Sequence, residues 1–244
     1  MCHLAIARCE QSIGNINGES EALVSASRCY LQAELKTGEL KTPSFEENLS
    51  SSIQTYNHAV RLLTEKGDHI RASGLCLELG DALNQLKKPG EALTFYIRAS
   101  NLRPSGSLSY LYAREKVAKT HVKLSDHHNA LNVFTEIANI AEQTCKKPAT
   151  SVYLDMLARC EIYRVLLLLL IQPTPQNVSP SLTSVLEKYA WESSSPLATD
   201  HALQNDQGSN PSPGGIVGNQ YLSEEVFLLL QSVVMAVQVS CLLI

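Results

Sequence analysis

The sequence lacks most of what catalytic and nucleic-acid-binding proteins display. No glycine-rich phosphate loop, His-Glu-x-x-His, nucleophile elbow or Cys-x-x-Cys pair occurs in its 244 residues. Phosphate-cradle, zinc-protease, serine-hydrolase and dithiol chemistry therefore have no motif to rest on. Positive charge is scarce as well: 20 Lys and Arg stand against 24 Asp and Glu, a formal net of −4, which argues against broad nucleic-acid binding. Glycine is sparse outside turns and residues 193–220, and β-branched runs are short, so the pattern favours helix over sheet. No secretory leader is expected, because Met1-Cys2-His3 leads straight into a helical pattern containing Arg8 and Glu10. The expectation is an all-α, non-enzymatic chain with no cofactor, no small-molecule substrate and no nucleic-acid partner.

What the sequence does contain is a spacing. Cys76-x2-Leu79-Gly80-x2-Leu83 is followed by Ala92-x3-Tyr96, Ala99 and Pro104. A large apolar residue, a Leu-Gly pair, a small residue, an aromatic and a closing proline at these offsets are the anchors of a tetratricopeptide repeat. Two antiparallel helices approach closely only where one offers a small residue and the other a large one. Gly80 and Ala92 supply the small partners, and Leu79, Leu83 and Tyr96 fill the space. Lys87-Lys88-Pro89-Gly90 breaks the first helix, Pro89 being tolerated at the start of the second, and Pro104 ends the pair.

A second copy runs through Val117-Ala118, His121, Ala130, Phe134 and Ile137, with Asp126 as N-cap before His127-His128. It lies 38 residues on (79 to 117, 96 to 134) instead of about 34, and Ser105-Gly106-Ser107 absorbs the excess. A weaker third copy joins Ile6 and Cys9 to Ala22, Ala26 and Cys29 across the turn Gly14-Asn15-Ile16-Asn17-Gly18. These copies predict a tetratricopeptide-like helical-hairpin solenoid, a right-handed superhelix over residues 1–192.

Ser44-x-x-Glu47 reads as a capping box opening a helix to about Lys66, with Ile53, Tyr56, Ala59, Val60 and Leu63 on one face. Gly67-Asp68 stops it and starts a helix at 68–86 carrying Ile70, Leu75, Cys76, Leu79 and Leu83. Further helices are predicted at 108–124, 152–171 and 181–191. Residues 193–220 hold no Lys, Arg or aromatic and are rich in Ser, Pro, Gly, Asn and Gln, which predicts a disordered loop. Ser223-Glu224-Glu225 then opens a last helix, where acidic side chains suit the positive end of the dipole. Its stripe Phe227, Leu230, Val234 and Val237 is expected to pack on the helix that contains 166–171. The seven cysteines occupy core-like helical positions and read as buried structural thiols. The adjacent His127 and His128 point about 100° apart on a helix, poor geometry for a metal.

Lys116, Lys119 and Lys123 fall at i, i+3 and i+7 on the 108–124 helix, with Arg114 nearby. They are either a solvated face or an electrostatic contact for an acidic patch on a partner. Trp191 is the second candidate for protein binding, being of the type that anchors interfaces or cores. The leucine run at 165–171 is far shorter than the roughly 20 residues a membrane span needs, and reads as a helix apolar almost all round and hence buried. Residues 226–244 carry no charge and leave a tail-anchored membrane protein as an alternative. A generic tetratricopeptide cochaperone is another, but it needs a cationic clamp spread over successive helices.

Several segments also carry a resemblance. Leu4-Ala5-x-Ala7-Arg8-Cys9, Cys76-Leu77-Glu78-Leu79, Ala130-Leu131-x-Val133-Phe134-Thr135, Cys160-Glu161, Arg164 to Leu170 with Gln172-Pro173, Leu186-Glu187-Lys188-Tyr189-x-Trp191-Glu192 and Glu224-Glu225-x-Phe227-Leu228-Leu229-Leu230-Gln231-Ser232 closely resemble the family of 40-kDa huntingtin-associated proteins. The resemblance implies an α-helical solenoid that sits between the helical-repeat domains of huntingtin and stabilises it. It also implies an effector of an early-endosomal Rab GTPase that shifts endosomes from microtubules toward actin, in the cytoplasm with a nuclear pool, and in only indirect contact with membrane. The run after Ala236 departs from the family's polar continuation, and the chain is expected to be a truncated form.

Overall fold

The structure, a computed structural model, describes residues 2–40, 46–144, 151–171, 180–189 and 221–242. Trp191, the expected loop at 193–220, Ser44 of the capping box and Cys145 lie outside the described residues. Those described form helices and turns with no strand: α1 (Cys2–Ser12), α2 (Ile16–Leu40), α3 (Glu46–Glu65), α4 (His69–Gln85), α5 (Pro89–Asn101), α6 (Leu108–Lys123), α7 (His127–Thr144), α8 (Ser151–Ile171), α9 (Pro180–Glu187) and α10 (Glu224–Leu242). The all-α helical-hairpin architecture read from the spacing is what the chain adopts. It divides into two compact units, Met1–Asp126 and His127–Ile244.

Local chemistry sets the turns of the first unit. Gly67 takes a left-handed φ of +82°, and Asp68 caps α4 by accepting the Arg71 N–H at 3.1 Å. Pro89 occupies the start of α5, where its missing N–H costs nothing. Gly106 turns the chain at φ +84°, and Ser107 caps α6 through the Tyr110 N–H at 3.2 Å. Pro104 closes α5's hairpin by accepting the Ser107 N–H at 3.2 Å. Such short connections make consecutive helices antiparallel neighbours.

The anchors of the α4–α5 pair are packed as their spacing predicts. Leu79, Leu83, Ala92, Tyr96 and Ala99 are buried, and Ser73 on α4 donates to the Ala99 carbonyl of α5 at 2.9 Å. In the stretch read as the weaker third copy the structure differs. The turn is shorter than Gly14–Gly18, since α2 already begins at Ile16, and Ile6, Cys9 and Cys29 are exposed while Ala7, Ala22, Leu23 and Ala26 are buried. Ala22 and Ala26 thus lie on the packed face as expected, while in α1 the buried position is Ala7, one residue on from Ile6, and Cys9 and Cys29 fall on the solvent side. α2 also packs on α3, where Ser52-x3-Tyr56-x2-Ala59 repeats the Ala92-x3-Tyr96-x2-Ala99 pattern 40 residues earlier (52 to 92) with all three residues buried. Ser52 donates to the Ser27 carbonyl of α2 at 3.0 Å.

Side-chain bonds link alternate helices. Arg28 on α2 pairs with Glu78 on α4, Asp81 on α4 with Lys116 on α6, and Arg98 on α5 with Asn57 on α3 at 2.9 Å. Within the first unit α2, α4 and α6 thus lie side by side in one layer, with α3 and α5 in the other. Ile70, expected on the core face of α4, is exposed in its first turn.

In the second unit α7 and α8 meet through the stacked rings of Phe134 and Tyr163, 4.5 Å apart and 7° from parallel. Ala130, Phe134 and Ile137 of α7 are buried. α10 packs on α8 with Leu230 and Val234 buried, and Phe227 lies against Tyr189 with ring centroids 5.1 Å apart. The apolar run of α8 is not buried all round. Val165, Leu167 and Leu168 are inside, but Leu166 is 39% exposed and Leu170 64%. Among the described residues no helix is long and apolar enough to cross a membrane.

Candidate functional site

The lysine stripe of α6 is largely a seam within the first unit. Lys116 donates to Asp81 on α4 at 2.8 Å, its ammonium 5.5 Å from the Tyr112 ring centroid and 6.0 Å from that of Tyr96. Lys123 donates to Asn84 of α4 at 3.1 Å, and Lys119 pairs with the buried Glu115 one turn back at 2.8 Å. Burial works against the Lys116 ammonium, but the bond and charge of Asp81 outweigh it and hold its proton more tightly than an ordinary lysine's. Asp81 also accepts the Tyr96 hydroxyl at 2.6 Å, and Asn84 donates to that hydroxyl at 3.1 Å. Burial foremost, then the Asp81 bond, keeps the Tyr96 phenol neutral well above its ordinary range.

A matching arrangement joins α2 to α4. Arg28 engages Glu78 in a two-pronged bond, Nε at 2.7 Å and Nη2 at 2.8 Å, and Tyr56 of α3 donates its hydroxyl to the same carboxylate at 2.8 Å. The Arg28 bond holds the Glu78 carboxyl below the usual carboxylate range despite its partial burial. In each case a cation on one helix and a tyrosine from the other layer share one α4 carboxylate.

The two pairs obey one rule of register. Arg28 follows the small buried Ser27 and Asp81 follows Gly80, while Glu78 stands two before Gly80 and Lys116 two before Ala118. The residue after the small position of one helix therefore pairs with the residue two before the small position of the next helix in its layer. None of Arg28, Glu78 or Asp81 stands out in the sequence as a cross-tie, because the paired charges are 35 and 50 residues apart. Aligning the helices on their small residues is the signal that would have found them.

Between α2 and α4 lies an open groove of about 570 Å3. Val24, Leu63 and Leu75 give it apolar surface, Ser25 and Gly74 keep it wide, and Glu21, Arg28, Arg71 and Glu78 supply charge. Among the described residues Arg71 spends only its Nε, on Asp68 at 2.6 Å. Among the described residues no cation pairs with Glu21.

The second unit holds a buried charge cluster. Glu161, 1% exposed, accepts from Arg164 Nη1 at 3.0 Å and from Lys188 Nζ at 3.4 Å. Burial foremost, then the charge of Glu161, raises the phenols of Tyr189 and Tyr221 above their ordinary range. The Nε of Arg164 finds no hydrogen-bond partner among the described residues.

The thiols differ from the sequence expectation. Cys76 and Cys160 are buried, burial pushing Cys76 up to about 11, but Cys2, Cys9 and Cys29 face solvent. Helical periodicity places a cysteine on a face without saying which face the neighbours cover. Among the described residues no three His, Cys, Asp or Glu side chains converge as metal ligands would.

Comparison with known proteins fits this framework. The family model of the soluble NSF attachment protein, SNAP, matches residues 1–157. The 40-kDa huntingtin-associated protein of Rattus norvegicus is 31% identical over an alignment 287 positions long, gaps included, which covers 96% of this chain and 71% of the rat protein. Its Mus musculus counterpart is 31% identical over 289, covering 97% and 71%. A solved Podosopora anserina putative kinesin light chain with nearly identical TPR-like repeats aligns with 77% of this chain and 91% of its own at 14% identity and a TM-score of 0.37, too slight a likeness to inform fold or function. The identity spans both compact units, and the chain belongs to the family of the 40-kDa huntingtin-associated protein, within the helical framework of the soluble NSF attachment proteins.

Proposed function

We propose that this chain is a non-enzymatic scaffold that binds and stabilises huntingtin and links it to a Rab GTPase on early endosomes. The single observation that carries the reading is the 31% identity, over nearly the whole chain, to proteins named for their association with huntingtin. The architecture supports it: paired helices cross-tied in layers make a stiff surface, and unpaired charge in the α2–α4 groove together with exposed leucines on α8 leaves material for contact with another protein. The site of action is the cytoplasm at early endosomes, with a nuclear pool, and membrane contact runs through the Rab partner.

Co-expression with huntingtin followed by size exclusion tests the reading. The expected result is a one-to-one complex in which huntingtin resists proteolysis better than it does alone. Separate elution of the two chains overturns it. Pull-down by early-endosomal Rab GTPases loaded with a GTP analogue, set against GDP-loaded controls, tests the endosomal link, and equal absence of capture removes it.

A further inference from the structure

Gly74 is a glycine that the packing of this chain does not require. It lies in the interior of α4, and a β-carbon built on it meets no atom within 4 Å. Several other described glycines have a reason on hand. Gly14, Gly67 and Gly106 take left-handed φ values, and a β-carbon on Gly80 or Gly18 would strike Tyr96 or Glu10. A β-carbon on Gly90 would likewise meet nothing within 4 Å, but Gly90 sits in the first turn of α5, beside Pro89, and not in a helix interior. Glycine is the poorest helix former after proline, so α4 holds together less well with Gly74 than with alanine there. A local rule broken with no internal compensation marks a place kept for something else.

Gly74 opens onto the α2–α4 groove. Two helical turns on each side line it, at 20–28 and 71–78, a trough about 10 Å long. Small-molecule sites enclose most of their ligand, whereas recognition of a peptide or helix uses an open trough with apolar footing and charged edges. Val24 and Leu75 provide the footing. The edges differ in chemistry: α2 offers the Glu21 carboxylate, and α4 offers the two Nη groups of Arg71, donors that its ion pair with Asp68 through Nε leaves without a partner among the described residues.

We propose that the α2–α4 groove takes an amphipathic segment of a partner protein, with one apolar side chain seated over Gly74, a base facing Glu21 and an acid facing Arg71. The proposal names a contact surface for the scaffold reading above and rests on it, with huntingtin as the partner that supplies the segment.

The test uses the full chain with huntingtin as the probe. Gly74→Trp fills the trough without touching the core, and is expected to keep the far-ultraviolet spectrum and weaken binding by about tenfold or more, as loss of an anchoring contact does. Gly74→Ala, which narrows the seat by a single methyl group, is expected to weaken binding by a smaller factor than Gly74→Trp does. In Gly74→Cys, maleimide labelling at that site, read by peptide mass spectrometry because Cys2, Cys9 and Cys29 are also exposed, is expected to slow by about tenfold in the complex. If the parent binds huntingtin while Gly74→Trp binds equally well and the introduced thiol labels equally fast, the groove is not the contact and the scaffold reading survives. If the parent does not bind huntingtin, both readings fall. The labelling result decides alone should Gly74→Trp not fold.

Discussion

A β-carbon on Gly80 would stand 2.7 Å from Cε1 of Tyr96, so the ring of α5 rests directly on the backbone of α4. The ring is buried, and its hydroxyl continues past the glycine to Asp81. One missing methyl group therefore sets both the hairpin spacing and the position of the carboxylate that receives Lys116.

Gly80→Ala and Gly74→Ala are expected to change stability in opposite directions. At Gly80 the ring must move within a packed core, an overpacking cost of about 1–3 kcal/mol that exceeds the helix-propensity gain of about 1 kcal/mol. At Gly74 only the gain remains, so stability should rise by up to about 1 kcal/mol. Urea midpoints of the two variants against the parent check this, and a shared sign would show that Tyr96 yields easily.

The α4–α5 hairpin was legible because its packing is written in residue size at fixed offsets. The α2–α3 hairpin uses the same offsets with Ser52 in place of alanine and a longer connection, so only Tyr56 and Ala59 showed, as part of a helix face. The cross-ties were hidden for another reason. Arg28, Glu78, Asp81 and Lys116 look like ordinary surface charges until the helices are laid in register, which is why Lys116 and Lys123 read as a possible partner contact and proved to be held by α4. In α8 the run at 165–171 is apolar in every direction and carries no phase. Which leucines face outward is decided by where α7 and α10 sit, and the sequence of α8 alone does not contain that.

Asp81 is expected to matter more than any lysine of the stripe. Asp81→Ala removes the acceptor of both Lys116 and Tyr96, for a cost of about 1–3 kcal/mol, whereas Lys116→Ala and Lys123→Ala each remove one partly exposed bond worth about 0.5–1 kcal/mol. A double-mutant cycle between Asp81 and Lys116 should give a positive coupling of about 0.5 kcal/mol or more. Additive effects would mean that the pair carries no energetic weight in solution.

Stability should fall at both ends of the pH scale for identifiable reasons. The Arg28 bond lowers the folded Glu78 carboxyl, and the Arg71 backbone and side-chain bonds lower that of Asp68. Stabilisation from a lowered acid is present above its unfolded value, about 4, and is lost as pH falls through the folded value. Tyr56 and Tyr96 are raised, by burial first, so their contribution is complete below about pH 10 and declines as pH climbs from there toward the folded values. Glu78→Gln should flatten the acid limb of a stability profile, and Tyr56→Phe with Tyr96→Phe the alkaline limb. Unaltered limbs in these variants would assign the pH dependence to other groups.

The last prediction concerns Glu161, whose partners stand on either side of residues 190–220. Lys188 and Tyr189 precede that segment, Tyr221 follows it, and the charge of Glu161 bears on all three. Removing the carboxylate alone leaves Arg164 charged, nearly buried and without its Nη1 partner, a situation that typically costs about 3–5 kcal/mol. Lys188 is 37% exposed and can turn to water, so Arg164 carries most of the penalty. Glu161→Leu is therefore expected to be much less stable than the parent, and Glu161→Leu with Arg164→Leu more stable than Glu161→Leu alone, because the second change removes the stranded charge. Amide exchange should locate the damage in 180–189 and α10, while α7, held by the Phe134 and Tyr163 stack, stays protected. A double variant no more stable than the single one would mean that Glu161 acts through packing and not through its charge.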